Sequence, residues 1–164
     1  MSPPPACILY SKDADLVRRI KAFLSTLAQV RHVDVADRLD AVLQQTGPAI
    51  LFLDLRAKEA RDLLDQLQES WPEILIVALG TPRSEPLREA EQSGIYAAED
   101  LLIDRRRFQA LAARGFEHLR VLQENRDLRE QSTAAALPEP PRRIEANQDR
   151  AEPSMPLLRF ARVF

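Results

Sequence analysis

Short continuous apolar runs alternate along this chain with longer stretches whose apolar residues recur every three or four positions. Ala6-Cys7-Ile8-Leu9-Tyr10 reads as a buried strand. Asp13 or Asp15 then caps a helix carrying Leu16, Val17, Ile20, Phe23, Leu24 and Leu27 on one side. Val30, Val33 and Val35 mark a second, β-branched strand that includes His32, and a short helix fits 37–45 until Thr46-Gly47-Pro48 ends it. Ala49-Ile50-Leu51-Phe52-Leu53 is a continuous strand closing on Asp54. Leu63, Leu64 and Leu67 mark the inward side of a helix over 58–70, terminated by Trp71-Pro72. Ile74–Leu79 forms a fourth apolar strand before Gly80-Thr81-Pro82, a polar helix fits 84–93, and Gly94 is placed as its left-handed stop. Ile95-Tyr96-Ala97-Ala98 is a weaker fifth strand, and Asp104 caps a long last helix.

Strands apolar on both faces and alternating with helices indicate a parallel sheet covered on both sides. Five such units in 6–131 predict an α/β, flavodoxin-like doubly wound fold, a five-stranded parallel sheet of order 2-1-3-4-5 with an extended C-terminal helix. In that topology a site forms where the strand order reverses, at the carboxyl ends of strands 1 and 3. Those ends carry Ser11, Lys12 and Asp13 on one side and Asp54 on the other, with Gly80 and Thr81 beside them at the end of strand 4.

Composition narrows the classes. The chain has 164 residues, 45% hydrophobic and 29% charged, with a formal net charge of −2. That is the profile of a globular domain, and it provides no general electrostatic attraction for nucleic acid or anionic membrane. Direct nucleic-acid binding by this segment is therefore not expected; no apolar run approaches the length of a membrane span, and no secretory leader is visible. The single cysteine, Cys7, agrees with a reducing, cytoplasmic setting. Prolines gather at 3–5 and again between 132 and 156, where large apolar groups are few. That second stretch reads as a flexible linker, and 157–164 as the start of a further element or a docking segment. The expectation is that the chain is part of a longer protein.

Negative findings exclude several chemistries. His32 and His118 lie far apart, with no cysteine or carboxylate at metal-ligand spacing near either, so no metal site is expected. Ser11 and Ser84 have no adjacent histidine or nucleophile elbow. The 4 glycines compose neither a GxGxxG nor a GxxxxGK[ST] loop, which disfavours flavin, dinucleotide and nucleotide cofactors. No enzymatic activity and no cofactor are expected. Arg105-Arg106-Arg107 reads as a solvated face balanced by Glu99, Asp100 and Asp104.

Ile50-Leu51-Phe52-Leu53-Asp54-Leu55-Arg56, with Pro48 ahead of it, Ile74–Leu79 as the next strand and Gly94 before a short last strand, resembles the receiver domain of bacterial response regulators over about residues 6–118. The resemblance implies that Asp54 matches the phosphoacceptor. It places Ser11 and Lys12 where receivers have a magnesium-holding acidic pair, with Asp13 one position beyond. The Ser/Thr ending strand 4 falls at Gly80 or, with a slip of one, at Thr81. The strand-5 lysine falls near Leu101-Leu102, where there is none; the nearest polar groups are Glu99 and Asp100. The usual glycine-containing loop after strand 3 is replaced by Arg56-Ala57-Lys58-Glu59-Ala60-Arg61, which leads almost directly into a helix. Magnesium needs hard oxygen ligands. At 4 Å and an effective dielectric near 20, one unit charge product is worth about 4 kcal/mol, so an ammonium in place of a carboxylate opposes metal binding. The expected protein is a degenerate, or pseudo-, receiver. Either Lys12 pairs with Asp54 in place of the cation, or Lys12 points into water and Asp54 bonds to nearby backbone.

The last helix carries the clearest positive signal. A helix of about 27 residues is about 40 Å long, roughly twice what covers such a sheet. The projecting part, about 118–131, presents Leu119, Leu122 and Leu128 as a dimer seam. The reading is a phosphorylation-independent regulatory module, a homodimer acting on a downstream effector in signal transduction or transcriptional control. A phosphorylatable receiver using Asp54, magnesium and a histidine kinase is the alternative, and a small-molecule-binding flavodoxin-like domain is the second.

Overall fold

The structure, a computed structural model, describes residues 5–135. It consists of β1 (Ala6–Tyr10), α1 (Ala14–Leu24), β2 (Val30–Val33), α2 (Ala36–Thr46), β3 (Ala49–Asp54), α3 (Lys58–Ser70), β4 (Leu75–Gly80), α4 (Glu85–Gln92), β5 (Ala97–Asp100) and α5 (Arg105–Ala135). The five strands form one parallel sheet in the order β2-β1-β3-β4-β5, as the hydrophobic pattern predicts.

The all-apolar central strands follow from coverage on both faces. Alternate residues of β1 and β3 serve opposite cores. Cys7, Leu9, Ile50 and Phe52 face α1 and α5 residues, whereas Ile8, Tyr10, Leu51 and Leu53 pack with α2 and α3 residues. On the first side Phe108 of α5 lies against Phe52, with ring centroids 4.8 Å apart. Gly115 permits a close approach of α5 to β3: a Cβ there would fall 2.7 Å from Ile50 Cδ1.

Several boundaries differ from the sequence expectation. Helix α1 ends at Leu24, so Leu27, expected on its inward side, lies beyond it and is exposed. The last ladder runs over Ala97–Asp100, two residues later than predicted, because Ile95 and Tyr96 pack against the cores as a connector and the pairing with β4 starts at Ala97. Val35 is exposed and precedes α2 instead of ending β2. Helix α5 continues to Ala135, so residues 132–135, assigned to the linker, are helical; Ser132 and Thr133 bond their hydroxyls back to carbonyls one turn earlier. The rest of the predicted linker and the 157–164 segment lie outside the described residues.

The start of α5 is a side-chain cap. Asp104 accepts from the Arg107 N–H at 2.9 Å, and Arg107 pairs with Glu99 at 3.2 Å. No helix among the described residues is long and apolar enough to cross a membrane.

Candidate functional site

The reversal of strand order places the carboxyl ends of β1 and β3 side by side, with Tyr10 opposite Leu53 in register. One residue beyond each lie Ser11 and Asp54, both buried. Ser11 Oγ donates to Asp54 Oδ2 at 2.7 Å and accepts from the Asp13 N–H at 3.0 Å. That turn aims Asp13 along α1 as its cap, where Oδ1 accepts from the Asp15 and Leu16 N–H groups.

The cation at this site is Arg56. Its Nε donates to Asp54 Oδ1 at 2.9 Å and its Nη2 to Asp54 Oδ2 at 2.8 Å, a two-pronged fork on one carboxylate. Its backbone N–H adds a bond to Oδ1 at 3.2 Å, and Nη2 also reaches Asp13 Oδ2 at 2.8 Å. With the Ser11 hydroxyl, the Arg56 N–H, Nε and Nη2, the four or so lone-pair sites of an ionised carboxylate are taken up. The side chain of Asp54 is only 5% exposed, that of Arg56 40%. The hydrogen bond to Asp54 and then the one to Asp13 hold the guanidinium well above its ordinary pKa. Asp13 lies below its ordinary value, chiefly through the Leu16 N–H and next through Arg56.

Lys12 does not pair with Asp54. It turns away and meets Glu59 of α3 at 3.0 Å, both side chains being about half exposed. Lys12 sits at a bend beyond the end of β1, and its partner Glu59 lies in the first turn of α3. The alternative expectation, bonding of Asp54 to nearby backbone, is met by the Arg56 N–H, although the dominant partner is a side chain. The hydrophobic pattern of the sequence does not mark Arg56 as the partner. The signal was its place two residues after Asp54, in a turn lacking the usual glycine, where the chain folds back so that the Arg56 N–H and its long side chain both reach the carboxylate.

The other candidate positions surround this cluster. Gly80 ends β4 and is buried, and a Cβ there would lie 3.1 Å from Leu87 Cβ and Cδ1. Helix α4 thus packs where a hydroxyl side chain would begin. Thr81 is exposed beyond it. The Gly80 carbonyl accepts from the Leu101 N–H at 3.0 Å, and the Leu101 carbonyl in turn accepts from Arg19 of α1. The place of the strand-5 lysine is therefore occupied by a backbone turn tied to α1.

The two carboxylates of the pocket, Asp13 and Asp54, are joined by one guanidinium nitrogen, and among the described residues there is no group of three or more His, Cys, Asp or Glu side chains placed to hold a metal. Arg56 instead offsets their negative charge from within the chain.

The dimer-seam residues divide. Leu119 is 2% exposed and belongs to the core under α5, so it is not part of an outer seam. Leu122 and Leu128 are exposed, 46% and 59%. Helix α5 also remains on the body further than predicted, because Arg126 pairs with Glu73 at 2.6 Å.

No protein-family model and no curated protein matches the sequence. Solved structures do match the fold. NtrX from Brucella abortus in complex with ADP is similar at 22% identity and a TM-score of 0.68, over 80% of this chain but 30% of that one. The receiver domain of NtrX from the same organism matches at 22% identity and a TM-score of 0.61, over 68% of this chain and 98% of that domain. A structure described as adenylate cyclase from Rhodopirellula baltica matches at 15% identity and a TM-score of 0.68, over 78% of this chain and 98% of that one. At these identities the likeness is one of architecture: the chain has the receiver fold.

Proposed function

We propose that this chain is a receiver-like regulatory module of bacterial signal transduction that acts through protein contacts, without a phosphorylation cycle at Asp54. The observation that supports this is the Arg56 fork. Phosphoryl transfer to a carboxylate depends on a free oxygen nucleophile and on cations placed around the transferring group. Here both oxygens of Asp54 are engaged by Ser11 and Arg56, and the neighbouring acid Asp13 is engaged as well. A guanidinium supplied by the chain bridges the two carboxylates of the pocket. In this reading the module has no catalytic activity of its own, needs no magnesium or histidine kinase, and operates in the cytoplasm. It pairs through the exposed part of α5 and controls a downstream effector, including one that regulates transcription.

Titration with beryllofluoride and magnesium, followed by amide NMR, tests the reading. The expected result is no saturable shift at Ser11, Asp54 or Arg56. Saturable binding centred on Asp54 would instead establish a phosphorylatable receiver with an unusual metal shell.

A further inference from the structure

The exposed length of α5 carries a pattern beyond its leucines. His118, Val121, Asn125, Leu128, Ser132 and Ala135 follow one another at alternating steps of three and four, and all are exposed. This is the spacing of a two-stranded coiled-coil seam. The His118 ring packs toward Tyr96, with centroids 5.8 Å apart, so the unpartnered seam begins at Val121. Val121 and Leu128 then take the d positions and Asn125 and Ser132 the a positions. Asn125 is a poor helix former with no apolar surface to bury, yet an asparagine at one a position specifies the register of a paired helix.

The flanking charges favour one orientation of such a pair. Glu117 pairs with Arg120, and Arg126 with Glu73 and Glu130, all within the chain. Glu124 and Arg129, at the g and e positions beside the seam, have no ion-pair partner among the described residues. A parallel pair brings each Glu124 beside the other strand's Arg129. An antiparallel pair sets g against g and e against e, and so brings Glu124 toward glutamate or glutamine and arginine toward Leu122 or arginine.

We propose that α5 from Val121 to Ala135 forms a parallel, in-register two-stranded coiled coil with a second copy of this chain. Asn125 faces Asn125 across the seam, and Glu124 of each copy bonds to Arg129 of the other. The proposal rests on the reading that α5 pairs the module. Two heptads with two large apolar residues per strand make a weak, concentration-dependent dimer.

Sedimentation equilibrium of the full chain over a wide concentration range tests it. The wild type is expected to dimerise. Glu124→Lys and Arg129→Glu should each weaken the dimer about tenfold, because each reversal replaces two attractions with two repulsions, and the double variant should restore it. Under oxidation, Val121→Cys and Leu128→Cys should each cross-link to its own counterpart; Cys7 is fully buried and will not compete. A monomer at all concentrations overturns both this proposal and pairing through α5. A dimer that shows no charge-swap rescue, or that cross-links at only one of the two positions, overturns the parallel register and leaves pairing standing.

Discussion

Arg56 and Asp54 meet because two chain-local facts coincide. A carboxylate at the end of a central strand is removed from water, and an ionised group so placed is costly unless fully bonded. A guanidinium two residues later is long enough to return to it and planar enough to engage both oxygens at once. Replacing Arg56 with Ala leaves a buried carboxylate short of two donors, Nε and Nη2, and should destabilise the fold by about 2–3 kcal/mol; pairing it with Asp54→Ala should recover most of that loss. Urea unfolding of the two single variants and the double variant measures this coupling, and additive losses would show that the fork does not act as a unit. Asp13 adds a pH dependence. Its folded-state pKa is lowered from an ordinary 3.8, so the stability it contributes is present above that value and is lost as pH falls through the lower folded value. Asp13→Asn keeps the helix cap but removes the charge. The stability gap between wild type and this variant, read from urea midpoints, should therefore be full at neutral pH and shrink in acid below 3.8. Asp54 itself was legible as the pivot of the site, since a continuous apolar strand ending on an acid marks the crevice of a doubly wound sheet. Arg56 was not, because the period of hydrophobic positions is silent on where a long polar side chain turns once the strand has ended.

At the scale of elements, the helices and central strands were readable because burial on both faces leaves an unmistakable run of apolar residues. Edge strand β5 was not, since a strand with one neighbour tolerates Glu99 and Asp100 in its ladder while Ile95 and Tyr96 serve the core from outside it. Helix α5 combines two functions in one periodicity. Its first half buries Phe108, Leu111, Ala112 and Leu119 against the sheet, and its second half turns Val121 and Leu128 outward. Leucine spacing alone does not separate the two faces, which is why Leu119 read as part of the seam. The two roles are separable by substitution. Leu119→Ala should cost about 2–5 kcal/mol through the cavity it leaves. Leu128→Ala, at an exposed site, should change the stability of the monomer by less than about 0.5 kcal/mol. Thermal unfolding at low protein concentration checks both; equal losses would mean that Leu128 also packs on the domain.

For the whole molecule, the receiver fold provides the scaffold, and its usual phosphoryl site holds an internal ion pair. Ser11, Asp13, Asp54 and Arg56 form one closed network, Gly80 is packed over by α4, and the turn after β5 is bonded to α1. In the function proposed above, such a site keeps one shape and the output passes through surfaces such as α5. The most direct measurement of that claim is the intact mass of the purified chain after incubation with magnesium and a small phosphodonor such as acetyl phosphate, taken before the acyl phosphate can hydrolyse. The account predicts an unmodified chain. A stoichiometric phosphoryl group mapped to Asp54 would contradict it.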